Sequence, residues 1–600
     1  MTEAWHVDTV KMWSHRNRWT LALALLMAAA PAGAARPYRG GAVATAHPAA
    51  SEAALKMLQK GGNAVDAAVA AATTLAVVGP YHSGLGGGGF ALVHDAKTGG
   101  TRVLDFREVA PQAATRDMYV KDGKVVPGLS TDGALSVAVP GAVAGYLELV
   151  EKHGKLPRAV VLQPAIEAAR AGFWVTPKYQ AVAKLRRDCL RQDPEAARIF
   201  LARNEAGEPD VPPVGYLVKQ PDLARTLSTL AKSGAAPFYT GAIGQAVVDT
   251  VKKGGGLLTR EDLKAYKTRA QEPLEGSYRG HRLLTMPPPS AGGLAVLQVL
   301  GALEKLRPQG LTFRDAEEVH LYAEAVRRVY VDRTKYLGDP AFVKIPMERL
   351  TSQGYLADLA GSIDPKKATS SASLLPPVEG AGESTLQKPD GSWYDPSHAP
   401  ADKKNTTHIS VIDKDGNAVA LTTTVNYGFG SCLVAKGTGV LLNDEMDDFS
   451  ARPGVPNAYG LVGGEANAIA PGKVPLSSMA PTLVFSKEDP KKVILAVGSP
   501  GGSTIPTTVI QVISNVVDQG MDVTRAVGQG RLHHQYLPDE LWVDQYALEP
   551  ATLRLLEAKG HKLRHIPAWG DAEAVHSDPQ TNLRSAASDP RNEGAALGQD

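Results

Sequence analysis

The spacing of apolar residues sets the first expectations. Ser51 precedes Ala53, Ala54, Leu55 and Leu58, and Gly61-Gly62 follows, which predicts an N-cap, an apolar helical face and a glycine stop. Asn63 caps a second predicted helix from about Ala64 to Val78, apolar on most sides and ended by Gly79-Pro80, as expected of a helix sandwiched inside a layered domain. Strand-like runs follow at Phe90–His94 and Arg102–Phe106. From about Gly141 to Leu350 helical patterns alternate with short turns, without a strong repeat. Ser, Pro, Gly, Asp and Lys then dominate from Thr369 to Asn405, predicting an exposed and weakly ordered seam.

Beyond the seam the rhythm shortens to strands, at Thr407–Asp413 and Ala418–Val425, joined by Lys414-Asp415-Gly416-Asn417. An Asp-Gly between two such runs predicts a hairpin. Its loop length decides the register. A two-residue loop sets Thr407 opposite Thr424, whereas a three-residue loop with Gly416 in the left-handed conformation sets Thr406 opposite Thr424. In the second register the two hydroxyls are close enough to hydrogen-bond. Further strands are expected at Pro481–Phe485 and Val493–Val497, and a helix at Thr507–Asp518. The C-terminal tail is polar, with Ser588-Asp589-Pro590-Arg591 able to dock.

Length and charge narrow the classes. Six hundred residues with 44% hydrophobic content suffice for a large layered fold. A net charge of +2 gives no basis for nucleic-acid binding. Arg16 and Arg18, the apolar run Leu21–Ala30 and Ala32-Gly33-Ala34 have the layout of a signal peptide over residues 1–34, so export to the periplasm or beyond is expected. The run is short of the roughly 20 residues of a membrane span, and no later segment looks membrane-spanning. Cys189 and Cys432, far apart, permit one disulfide without requiring it. Zinc spacing is absent, so neither metal nor other cofactor is expected. The run Gly84–Phe90 lacks the Lys-Ser or Lys-Thr that a phosphate-binding loop needs after its glycines.

Several long motifs resemble one family, the γ-glutamyltransferases or glutathione hydrolases. They are GGNAVDAAVA, GLGGGGF and LDFREVAP, then NTTHISVIDKDGNAVALTTTVN, LLNDEMDDFS, PLSSMAPT, GSPGGSTIP and SDPRNEGAA, in family order and covering nearly all of the chain after residue 34. The resemblance implies a mixed α/β fold of N-terminal-nucleophile hydrolase type: a four-layer αββα sandwich. It also implies a single precursor, cut between Asn405 and Thr406 into a large subunit (35–405) and a small catalytic subunit (406–600) that stay together as a heterodimer. Thr406 would be the nucleophile. A freed α-amine, with a reference pKa of about 7.7–8.0, can serve as its base near neutral pH.

By the same resemblance Thr424 would orient the nucleophile, and Gly501 and Gly502 would form the oxyanion hole. Arg107 would clamp the substrate α-carboxylate in a bidentate fork, with Ser477 and Ser478 adding hydroxyl donors. Asn426, Glu445 and Asp448 would accept from the α-ammonium, and Glu445 stands where some members carry Gln. The loop from Arg452-Pro453 to Gly464 matches a lid, with Tyr459 placed to cover the pocket. Taken singly, Arg107 reads as a surface ion pair, the serines as a loop cap, and Glu445 and Asp448 as solvated charges. Cys432 lies near these residues in sequence without an assigned role.

The expected substrates are glutathione and other γ-glutamyl compounds, with water, amino acids or dipeptides as acceptors. A glutaryl-amide acylase is a second reading, opposed by the three acceptors for an ammonium that such substrates lack. A non-catalytic binding protein is a third, and it predicts an uncut chain.

Overall fold

The computed structural model describes residues 35–313, 315–375, 405–545 and 547–600. The expected signal segment, residues 1–34, and most of the expected seam lie outside them.

Thirteen strands build the two main sheets: β1 (Ala42–Thr45), β2 (Gly88–Asp95), β3 (Gly100–Asp105), β4 (Arg269–Gln271), β5 (Leu274–Tyr278), β6 (His281–Thr285), β7 (Thr407–Ile412), β8 (Ala418–Thr424), β9 (Thr482–Phe485), β10 (Val493–Gly498), β11 (Glu573–Ser577), β12 (Arg584–Ser588) and β13 (Ala595–Gly598). One sheet runs β4-β3-β2-β8-β7-β1-β13 and the other β5-β6-β9-β10-β11-β12. Every pairing within them is antiparallel.

The flanking helices are α1 (Pro48–Gln59), α2 (Ala64–Val78), α3 (Pro177–Gln192), α4 (Gly292–Leu306), α5 (Ala316–Tyr336) and α6 (Ile505–Val517). The sheets pack face to face through β7, β8, β10 and β11; α1 and α2 cover the first, and α4 and α6 the second. This is the expected four-layer αββα sandwich. Two large apolar clusters, one on each side of the first sheet, form its core.

Local chemistry accounts for most boundaries. Asn63 caps α2 through the amides of Val65 and Asp66, while Asp66 returns a bond to the Asn63 amide, a capping box. All fifteen residues of α2 are buried, as a sandwiched helix requires. The start of α1 differs from expectation. Pro48 opens it and His47 caps the Ala49 amide. Ser51 lies one turn inside, buried, where it pairs with Thr45 and donates to the Ala595 carbonyl.

Strands β4 to β6 interrupt a region read as helical, and the polar tail supplies the edge strand β13. Asp589, in the tail segment expected to dock, accepts from Arg531 and from the Ala572 amide. No helix among the described residues is long and apolar enough to cross a membrane.

Candidate functional site

The hairpin β7–β8 positions the candidate nucleophile. Thr407 pairs with Thr423 and Ile412 with Ala418, and Gly416 closes a three-residue loop at φ 89°. This is the register that carries Thr406 opposite Thr424. The two hydroxyl oxygens are 3.2 Å apart. Thr406 Oγ1 also donates to the Asn405 carbonyl oxygen at 2.5 Å, and Thr424 Oγ1 approaches the same oxygen at 3.4 Å. The Asn426 amide donates to Thr424 Oγ1 at 2.8 Å, so the Thr424 hydroxyl proton is turned toward Thr406 and the 405 carbonyl. Asn405, Thr406 and Thr424 are all buried.

The Asn405–Thr406 bond borders a polar cavity of about 70 Å³ lined by His82, Lys178, Asn405, Gly501, Trp569 and Asp571. Such a space accommodates a few waters.

Gly501 and Gly502 follow β10 with φ values of 132° and 55°. A Cβ on Gly502 would meet the ring of Tyr459 at 2.5 Å. Only glycine therefore suits the second position in both torsion and space. Tyr459 itself is buried. Its hydroxyl donates to the main-chain and side-chain oxygens of Asn426 at 2.9 and 2.8 Å. Tyr459 thus packs over Gly502 and is held there by the Asn426 side-chain oxygen. The Asn426 amide group donates to the Asp444 carbonyl, so both ends of this side chain are engaged.

Arg107 follows β3 and is fully buried. It pairs with Glu445 through Nη1 and with Asp448 through Nη2, and Glu108 lies 4.0 Å away. The surface-ion-pair reading of Arg107 and the solvated reading of Glu445 do not hold, because both side chains are out of water. Arg107, Glu445 and Asp448, read separately from sequence, form one cluster, while Asn426 is engaged by Asp444 and Tyr459.

One guanidinium faces three carboxylates there. Burial works against the charge on Arg107, but Glu445, Asp448 and Glu108 more than offset it and hold its pKa above the usual arginine value. Burial raises the pKa of Glu445 and of its neighbour Glu108, against the pull of Arg107. Glu445 Oε2 and both Glu108 oxygens are buried without a hydrogen-bond partner. The cluster therefore has more carboxyl groups than cations and acceptor capacity to spare, and a cationic group placed there would favour their charged forms.

The 475–478 loop reaches the same place. Arg107 Nε donates to the Pro475 carbonyl at 3.4 Å, and the Ser477 hydroxyl accepts from the Met479 amide, which leaves its proton available. Ser478 is buried beside it in the same loop.

Sequence reasoning passed over Glu108 and His82. Glu108 adjoins Arg107, yet its burial follows from a close approach to Gly88 at the start of β2, where a Cβ would meet Glu108 Oε2 at 2.4 Å. That contact accounts for a glycine in the Gly84–Phe90 run without any bound phosphate. His82, just ahead of that run, contacts the Thr406 carbonyl at 3.1 Å. The two cysteines, left open as a pair, form a disulfide. His320, Glu324 and His561 come within metal-ligating distance of one another. Glu324 already holds Arg327, Arg328 and the Thr369 amide, so its carboxylate is engaged by these partners.

Comparison with known proteins adds three findings. A sequence model of the gamma-glutamyltranspeptidase family matches residues 50–599. The glutathione hydrolase proenzyme of Escherichia coli (strain K12) is 42% identical over 553 residues, covering 92% of this chain and 90% of that one. Among solved structures, cephalosporin acylase from Bacillus halodurans superposes with a TM-score of 0.78 at 26% identity over the whole of both chains. A chain of Helicobacter pylori gamma-glutamyltranspeptidase gives 0.52 at 38% identity, spanning 55% of this chain and 93% of its own.

Proposed function

The chain belongs to the gamma-glutamyltranspeptidase family, and on that premise we propose that it cuts itself between Asn405 and Thr406 and then transfers γ-glutamyl groups from glutathione and related amides through Thr406. The observation that carries this reading is the Thr406–Thr424 pair, with the Thr406 hydroxyl against the carbonyl of the bond to be cut.

In maturation the Thr406 Oγ attacks the Asn405 carbonyl carbon, its proton passes to the Thr406 nitrogen and the C–N bond breaks, leaving residue 405 as an ester on Oγ and freeing the Thr406 amine. Thr424 holds the hydroxyl in line. Water from the adjoining polar cavity hydrolyses the ester, leaving the Asn405 carboxylate and the threonine hydroxyl. The products are a large polypeptide ending at Asn405 and a small one beginning at Thr406.

In turnover the freed α-amine takes the hydroxyl proton as Thr406 attacks the γ-amide. Gly501 and Gly502 offer amides to the oxyanion, each worth about 3 kcal/mol where such donors have been removed. The amine product leaves with the proton, and water, an amino acid or a dipeptide takes the γ-glutamyl group from the ester. The α-ammonium of the substrate enters beside Glu445 and Asp448, and its α-carboxylate beside Arg107 and the Ser477 and Ser478 hydroxyls. Tyr459 must release the Asn426 oxygen for that residue to join them. The signal-like leader fits an exported enzyme.

A cephalosporin acylase shares this fold, so a glutaryl-amide acylase is the second reading to test. The unbalanced carboxylates around Arg107 favour a substrate that brings a cation. The test is intact mass and N-terminal sequencing of the purified protein, followed by paired assays on a γ-glutamyl anilide and a glutaryl anilide. Two polypeptides, the smaller starting at Thr406, and a clear preference for the γ-glutamyl anilide are expected. A single uncut chain would overturn the nucleophile, and a preference for the glutaryl anilide would overturn the substrate class.

A further inference from the structure

Cys189 sits near the end of α3, and Cys432 lies in the loop that follows β8; the two are 243 residues apart in sequence and joined by a disulfide with Cα atoms 5.9 Å apart. They are the only cysteines of the chain. The proposed cut at Asn405–Thr406 falls between them. We propose that this disulfide makes the mature enzyme a covalently bridged heterodimer in which the Cys189–Cys432 bond is the one covalent link between the large and small polypeptides, and that it pins the loop carrying Asn426. The first part rests on the cleavage proposed above.

The surroundings show what the bridge holds. From Asn426 to Cys432 the backbone takes left-handed torsions at Asn426 (75°), Phe429 (60°), Gly430 (50°) and Cys432 (61°), three of them at residues with a side chain. Such a path persists only when neighbours enforce it. The enforcing neighbour is α3. One turn before Cys189, the buried Arg186 guanidinium donates to the Gly430 carbonyl at 2.9 Å and lies over the Tyr427 ring at 5.2 Å. Phe429 packs against Tyr179 of the same helix, with centroids 5.4 Å apart.

Helix α3 belongs to the large polypeptide and the loop to the small one. Without the bridge, once the peptide bond at 405 is cut, only packing would keep the two together, and their separation would be a dilution-dependent step. The bridge makes re-docking intramolecular, at an effective concentration independent of dilution. Opening it by a dithiol transfers two electrons and two protons to the cystine sulfurs, which leave as thiols while the dithiol closes to its own disulfide.

The experiment uses the matured full-length protein, denatured in N-ethylmaleimide to block exchange and resolved by mass spectrometry with and without prior dithiothreitol. Expected is one species of the summed mass, unlabelled by maleimide, that separates on reduction into polypeptides 35–405 and 406–600. Two species without reduction, or maleimide on both cysteines before reduction, overturns the bridge. A reduced sample that stays one chain overturns the cleavage instead, and with it the two-polypeptide bridge. The double variant C189S/C432S tests the consequence. Its activity should be lost at least about tenfold faster than wild type on dilution from micromolar to nanomolar, and its KM for the γ-glutamyl anilide should rise. Equal persistence on dilution would overturn the link's role in holding the polypeptides, and an unchanged KM its role in pinning the Asn426 loop.

Discussion

His82 Nδ1 lies 3.1 Å from the main-chain carbonyl oxygen of Thr406. A carbonyl can only accept, so Nδ1 carries the proton. The ring is neutral, because burial lowers its pKa well below the usual histidine value, and Lys178 lowers it further. This bond gains importance once the peptide bond to residue 405 is gone, since the paired strand begins only at Thr407 and Thr406 becomes a chain end. His82→Leu is expected to mature slowly and, once cut, to lose roughly three- to tenfold in kcat, the worth of one neutral hydrogen bond. KM should change little. His82→Asn, which can present an N–H at the same place, should restore most of kcat. Steady-state kinetics on a γ-glutamyl anilide reads this, and equal losses in both variants would refute positioning through the carbonyl.

Thr424 is held by the Asn426 amide on one side and faces Thr406 on the other. Thr424→Val keeps the shape but deletes the hydroxyl and leaves the buried Asn426 amide unpaired. The rate of self-cleavage, followed by electrophoresis of freshly made precursor, should fall roughly 10- to 100-fold. Thr424→Ser should cleave within a few-fold of wild type, and a fast Val variant would remove Thr424 from the mechanism.

The cluster around Arg107 separates folding from binding. Arg107→Leu strands three carboxylates in the interior and should cost roughly 3–5 kcal/mol, seen as a lowered denaturant midpoint. Asp448→Asn replaces the carboxylate paired with Arg107 Nη2 by a neutral group that can still accept a hydrogen bond. It should fold and mature normally while KM for γ-glutamyl substrates rises at least about tenfold, the scale of a lost charged hydrogen bond. Unchanged KM would take Asp448 out of the ammonium site.

How far the sequence reached depended on the range of the cause. Asn63 and Gly416 act on neighbours within a few residues, so the cap of α2 could be read directly and the hairpin narrowed to two registers, of which the structure takes the one with the three-residue loop. Strands β5 and β6 were passed over although Arg279-Gly280, both at positive φ, joins them as a local hairpin; they are five residues each, and Leu283-Leu284-Thr285 also pairs with β9, some 200 residues later. The same holds at the site. Thr406 and Thr424 meet across one turn, where one of the two readable loop lengths pairs them, whereas Arg107 meets Glu445 and Asp448 across 338 and 341 residues, so only family order linked them. His47 displaced Ser51 as the cap of α1 because Pro48 sets the first turn, a local signal outweighed in the reading by the apolar periodicity that begins at Ala53. The bridge between Cys189 and Cys432 depends on α3 lying against the loop after β8, which no sequence spacing encodes.

Asp447 gives the lid a pH dependence whose sign can be worked out. Its carboxylate is buried, accepts from Ser130 Oγ through one oxygen and from the lid amide of Ala458 through the other, and faces Asp448 and Asp132. Burial pushes its pKa up to about 6, and the neighbouring carboxylates push the same way, while the Ser130 and Ala458 bonds oppose. The unfolded value is near 3.9. Between about pH 4 and pH 6 the folded protein therefore binds more protons at this group than the unfolded one, and its contribution to stability falls as pH rises through that window. Asp447→Asn has no such titration and keeps an acceptor for one of the two donors. The stability of the variant relative to wild type should therefore climb from pH 4 to pH 7 by roughly 2–3 kcal/mol and level off above it. Denaturant midpoints across that range measure the difference. A difference that is flat with pH would mean that folding does not shift Asp447, and one that falls as pH rises would mean that folding lowers its pKa; either overturns the prediction.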